Sequence, residues 1–272
     1  MSRADYREIG GALAFVEDHG EGPPVLCLHT AGQSGVQWRH AGRALAARGW
    51  RVLIPDLPGH GRSDPAPGGP VRDLGAYGAW CAQLIAELGL HRAAVIGCSI
   101  GGKIALDVAC RIGGQLRGVV AMAADAGLDP SEGRAFARSM ERELEDCAAA
   151  SRSDRTYLGT LAVIGHAVPE PRRRLIATMH RREDPVVTNS DLIGWACFDR
   201  WKQLPQIRCP VHLVVGEDDL WMSLPRVERT AAQIPNARHT LLKGIGHYPM
   251  EELDTISDLL DTWLREFPEG AG

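Results

Sequence analysis

Short apolar runs alternate with amphipathic ones along the first 125 residues. Residues 24–28, 51–57, 92–96 and 116–122 are mostly apolar, too short to show a helical period, and read as buried strands. Between them, 36–48, 72–88 and 100–111 carry apolar residues at helical spacing. Trp80, Leu84, Ile85 and Leu88 share one face of the second, and Gly113-Gly114 stops the third. Strands alternating with helices predict an α/β fold: a mostly parallel, doubly wound sheet covered on both faces.

The rhythm changes near Asp125. Residues 126–208 read as helical and charged, with no clear strand; 134–150 is rich in Arg, Glu and Ala, and another helix is predicted from Glu170. The alternation resumes with a strand at 210–215, a helix at 224–233, a strand at 237–242 and a closing helix at 251–267. The predicted organisation is an α/β core of residues 1–125 and 209–272 with a helical insertion at 126–208. Insertions at the carboxyl ends of parallel strands lie over the ligand crevice, so a lid is expected. A helical subdomain with only a packing role is the plainer alternative.

Composition narrows the function classes. A hydrophobic share of 44% and a charged share of 24% are ordinary for a soluble globular protein, and 272 residues bury a large core without staples. A net charge of −4 and the absence of a long basic tract speak against a nucleic-acid partner. No apolar run approaches a membrane span, and Met1-Ser2-Arg3-Ala4-Asp5-Tyr6 lacks the apolar segment of a signal peptide, so a cytoplasmic setting is expected. The seven cysteines, an odd number, show no metal-type spacing; Cys27, Cys98 and Cys209 are expected to be buried thiols.

The candidate chemistry starts at Gly97-Cys98-Ser99-Ile100-Gly101, a G-x-S-x-G pattern between a predicted strand and a predicted helix. In that context the pattern makes a nucleophile elbow, with the serine on a tight turn and the helix N–H groups facing any developing negative charge. A serine nucleophile needs a base, and the base an orienting acid. His247, in Gly244-Ile245-Gly246-His247-Tyr248-Pro249, follows a predicted strand, and so do the carboxylates of Gly216-Glu217-Asp218-Asp219. A parallel sheet brings all three groups to one end.

With these motifs in order, and Asp56-Leu57-Pro58-Gly59-His60-Gly61-Arg62-Ser63 matching D-x-x-G-x-G-x-S, the chain resembles the α/β-hydrolase superfamily over essentially its whole length. The resemblance implies Ser99 as nucleophile, His247 as base and Asp219 as acid, with no cofactor or metal and a small-molecule substrate as the partner. It places the oxyanion donors at the N–H of Ile100 and, from His29-Thr30-Ala31-Gly32-Gln33, at that of Ala31. Thr30 departs from the family's glycine; its hydroxyl is either a third donor or a loop cap. Asp125 is the alternative acid, since some zearalenone-lactonase-like relatives carry it there; otherwise it caps a helix. Cys98 precedes the elbow position and its side chain is expected to point away.

Thr30, Trp38 and Trp221 are candidates for the substrate pocket, while Trp195, Phe198 and Trp201 are accounted for by core packing, with a hydrophobic substrate wall as the lesser alternative. The expected activity is cleavage of a carboxylic ester or lactone of a small, largely apolar substrate through an acyl-serine. Carbon–carbon bond hydrolysis and perhydrolysis use the same triad, although meta-cleavage-product hydrolases usually carry tryptophan where this chain has Tyr248. Relatives acting on epoxides or halides use an aspartate where this chain has Ser99. The alternative from another class is a small-molecule receptor on a hydrolase scaffold.

Overall fold

Six predicted strands are present in the computed structural model, which describes residues 2–146 and 152–268. They are β3 (Pro24–Leu28), β4 (Arg51–Pro55), β5 (Ala94–Cys98), β6 (Gly118–Met122), β7 (Val211–Gly216) and β8 (Ala237–Leu242), all mutually parallel. Two further strands, β1 (Ser2–Ile9) and β2 (Ala12–His19), form an antiparallel hairpin that joins the sheet through β4. The order is β1-β2-β4-β3-β5-β6-β7-β8. The hairpin escaped the apolar pattern because β1 is exposed everywhere except Ile9. Its turn is Gly10-Gly11, both at positive φ, the two-residue chemistry that closes tight hairpins.

The parallel strands other than the edge strand β8 are buried on both faces, and their side chains alternate between two cores. Leu26, Leu28, Val95, Val119 and Leu213 enter one. Val25, Cys27, Ile96, Cys98, Val120 and Val214 enter the other. This period of two is what a strand covered on both sides requires. Covering helices include α1 (Ala41–Ala47), α2 (Leu74–Glu87), α3 (Ile100–Ile112), α8 (Leu224–Ala231) and α10 (Ile256–Glu266). The side chain of Asp73 accepts from Gly75 N and starts α2. Two predicted helices prove to be broken. The segment 36–48 is a 3₁₀ turn (Gly35–Trp38) followed by α1, and the closing helix is split into α9 (Pro249–Glu252) and α10.

Between β6 and β7 run α4 (Pro130–Glu145), α5 (Arg152–Val163), α6 (Glu170–His180) and α7 (Pro185–Cys197). Asp129 and Asp184 cap α4 and α7, each followed by a proline in the first turn. Within this block the sole strand-like contact among the described residues is a bridge between Gly127 and Asp199. Cys147 and the end of the predicted 134–150 helix lie outside the described residues. Among those described, no helix is long and apolar enough to cross a membrane.

Candidate active site

Ser99 links β5 to α3 with φ 57° and ψ −118°, a conformation that costs a non-glycine residue about 1–3 kcal/mol. Its N–H donates to Met122 O at 3.0 Å, and its carbonyl accepts from Lys103 N. The glycines on either side permit the turn. A Cβ on Gly97 would lie 2.0 Å from Gly101 O, and one on Gly101 would lie 2.6 Å from His29 O. The second contact matters for chemistry, because it brings the loop after β3 against the first turn of α3.

His247 follows β8, and its Nδ1 lies 2.9 and 2.8 Å from the two oxygens of Asp219. Asp219 Oδ1 also accepts from Trp221 N and Met222 N, which fixes the carboxylate on the turn after β7. With Nδ1 engaged, the free ring nitrogen of His247 is Nε2. The loop of His247 is held by Glu252, which accepts from the N–H groups of Gly165, Gly246 and Tyr248. Burial pushes the Glu252 carboxyl pKa up in spite of those three donors. His247 N donates to Val163 O, so the helical insertion grips the same loop. Cys98 Sγ donates to the His247 carbonyl, and burial raises its thiol pKa well above the ordinary range.

The loop after β3 presents three successive N–H groups. Thr30 N donates to Gln37 Oε1 at 2.9 Å, and Gly32 N donates to Asp191 Oδ2 at 2.9 Å. Ala31 N stands between these two anchored groups, and Ala31 borders the cavity that Ser99 and His247 share. Ile100 opens α3, ahead of that helix's first internal bond. The Thr30 hydroxyl donates to Gln37 Oε1 and caps the loop. Gln37 is itself held by Glu251, and Asp191 also accepts from His60 Nε2 and Tyr77 OH. Asp191 comes from α7 of the insertion, so core and insertion together set this loop.

Asp125 is turned to another task. Lys103 Nζ and Arg226 NH2 each stand 2.5 Å from one of its oxygens. Burial pushes its carboxyl pKa up, but the two cations outweigh it and hold the group ionised below its ordinary range. His247 is therefore served by Asp219, and Asp125 forms a buried ion cluster behind the elbow helix. Asp218, next to Asp219, accepts from His166 N and Nδ1 at the start of the α5–α6 connection. In the D-x-x-G-x-G-x-S loop, Asp56 accepts from Gly35 N and Arg62 N, and Ser63 Oγ donates to its carbonyl. That motif is an internal brace.

The cavity measures about 300 Å³ and is bordered by Thr30, Trp221 and the insertion residues Met140, Leu192 and Trp195. Trp38 corrects the sequence expectation. It is fully buried in the core, because the 3₁₀ turn points it inward against the sheet, and it does not line the cavity. Trp195 takes both of the roles open to it. Besides packing, it faces the cavity and meets Trp221 edge-on at 6.0 Å. Asp191 carries no local signal in the sequence, since its partners Gly32, His60 and Tyr77 lie 159, 131 and 114 residues away.

A family model described as the alpha/beta hydrolase family matches residues 25–258. This chain belongs to that family. Among related sequences, this hydrolase is 30% identical to the magnesium-chelatase 30 kDa subunit of Rhodobacter capsulatus, over 97% of its own length and 95% of the relative's. It is 24% identical to the pimeloyl-[acyl-carrier protein] methyl ester esterase of Nitrosospira multiformis, over 85% and 93%. Among solved structures it matches a thermophilic esterase from Thermogutta terrifontis with a TM-score of 0.83 and 24% identity, covering 97% of this chain and 99% of the other. It matches the enol-lactonase from Burkholderia xenovorans with a TM-score of 0.81 and 20% identity, covering 96% and 100%. At these identities the structural likenesses establish the fold of the hydrolase.

Proposed function

We propose that the hydrolase cleaves a carboxylic ester or lactone of a small, largely apolar substrate through an acyl-serine intermediate. The observation that carries this reading is the pairing of His247 Nδ1 with both oxygens of Asp219 at a cavity shared with Ser99. Ser99 Oγ attacks the carbonyl carbon while His247 Nε2 takes its proton. Asp219 keeps the proton on Nδ1 and stabilises the imidazolium. The negative charge on the carbonyl oxygen is met by Ala31 N–H and Ile100 N–H, each worth about 3–4 kcal/mol in the transition state. Collapse returns the His247 proton to the leaving oxygen and leaves the acyl group on Ser99. Water then repeats the sequence, with His247 as base, and releases the acid.

The helical insertion acts as a lid. Met140, Leu192 and Trp195 bring its apolar surface to the cavity, where Trp221 completes the wall. Relatives named as an esterase and an enol-lactonase support an acyl-transfer reading. The test is turnover of p-nitrophenyl butyrate. Repeated turnover is expected, and Ser99→Ala is expected to lower kcat by about 10⁴–10⁶-fold. Normal turnover by that variant would remove the mechanism, and a single turnover followed by tight product retention would favour a receptor.

A further inference from the structure

Beside its apolar wall the catalytic cavity has a polar one, with Thr156, Thr160, His180, Glu183 and Thr188 among its members. Two other charged side chains at the cavity answer each other, Arg155 NH1 lying 2.7 Å from Glu143 Oε1. Glu183 has hydroxyl partners instead. The Thr156 hydroxyl donates to its Oε1. Thr188, beside it, donates its hydroxyl proton to Asp184 O at 2.8 Å. The nearby imidazole of His180 is bonded to Glu251 at 2.6 Å. Burial, with Asp191 adding repulsion, pushes the Glu183 carboxyl pKa up. A partly buried carboxyl whose side-chain hydrogen bonds come from hydroxyls is costly in its charged form, and a ligand donor relieves that cost.

The position of Glu183 relates it to the reacting carbonyl. A Cβ on Gly32 would stand 2.9 Å from Glu183 Oε2 and 1.9 Å from Thr188 Oγ1. The carboxyl therefore rests against the residue next to Ala31, and successive Cα atoms are about 3.8 Å apart. A substrate group a few bonds from the scissile carbonyl reaches it.

Resting on the ester-hydrolase reading, we infer that Glu183 is a specificity-determining residue, and that the preferred acyl group carries a hydrogen-bond donor, hydroxyl or ammonium, within about four bonds of the carbonyl. Oε2 accepts from that donor, and the apolar remainder of the acyl group lies on Trp195 and Trp221. An acyl group carrying a carboxylate is repelled.

The test compares p-nitrophenyl esters of butyrate, 3-hydroxybutyrate, 3-aminobutyrate and succinate (as the mono-ester) by kcat/KM. The wild-type protein is expected to favour at least one donor-bearing ester over butyrate by about tenfold or more, and to disfavour the succinate ester. Glu183→Leu is expected to bring the donor-bearing to butyrate ratio down to about one and to improve the succinate ratio. Glu183→Gln keeps an acceptor without the charge. It is expected to retain a hydroxyl preference and lose an ammonium preference, which tells the two donors apart. Thermal melting of both variants reports folding, and Glu183→Gln carries the test if Glu183→Leu does not fold. Equal ratios in the wild-type and variant proteins, or a wild-type preference for butyrate or succinate, would overturn the inference while Ser99-dependent turnover of butyrate leaves the hydrolase reading standing. No turnover of any of the four esters would overturn both.

Discussion

Ser99 and the two carboxylates that competed for its histidine are where single residues decide the chemistry. Asp219 offers His247 both oxygens, while Asp125 is occupied by Lys103 and Arg226. Asp219→Asn is expected to lower kcat by about 10⁴-fold with little change in melting temperature, because the wrong imidazole tautomer is then favoured. Asp125→Asn is expected to do the reverse. Removing one member of a buried ion cluster typically costs about 3–5 kcal/mol of stability, with turnover largely retained. Steady-state kinetics and thermal melts of the two variants separate these outcomes. A collapse of turnover in Asp125→Asn alone would reverse the assignment. The grouping of Ser99, Asp219 and His247 was legible in the sequence because each sits on a short turn whose glycines and strand context are local. Trp38 was misread because closeness to a loop in the chain does not set the direction of a side chain, and the 3₁₀ turn aims it at the core.

At the scale of elements, the loop after β3 is positioned by its neighbours. Gln37 and Asp191 take the N–H groups on either side of Ala31, and Asp191 belongs to α7. Helix α7 thus does more than border the cavity; in the proposed mechanism it fixes the backbone that would meet the carbonyl oxygen. Asp191→Ala frees Gly32 N and leaves His60 and Tyr77 without their buried acceptor. The expected result is a lower melting temperature and a loss of about 10²-fold in kcat, larger than the change in KM, since small misplacement of a donor acts in the transition state. A KM effect alone would show that Asp191 serves binding and leaves the loop unmoved. None of this was legible beforehand. The elements were readable from their periods, but a bond between residues 32 and 191 exists only after β6 and β7 have brought the insertion over the sheet. The β1–β2 hairpin was missed for a related reason, because its outer strand packs too little apolar surface to mark itself.

For the whole molecule, buried histidines link stability to pH. Burial, with His60 adding repulsion, lowers the pKa of His29 to about 4, and burial with Arg238 lowers that of His212 to about 3. Each group binds a proton more readily when unfolded, so its stabilisation is complete above the ordinary histidine pKa near 6.5. It is lost as pH falls from there through the folded values. His60 runs the other way. Burial lowers its pKa, but Asp191 outweighs that and raises it, so its contribution is full below about 6.5 and fades as pH rises through the raised value. The melting temperature is expected to fall between pH 6.5 and 4, and replacing His212 with a neutral side chain of similar size should flatten that slope. An unchanged slope in the variant would refute the link.

The central claim, that Ser99 is the nucleophile of an acyl-transfer reaction, is tested most directly by reacting the protein with a fluorophosphonate and locating the adduct by peptide mass spectrometry. One adduct per chain on Ser99, formed in step with the loss of p-nitrophenyl butyrate turnover and absent from His247→Ala, is the result expected. Turnover that persists in fully labelled protein, or an adduct on another residue that accounts for the loss, would contradict it.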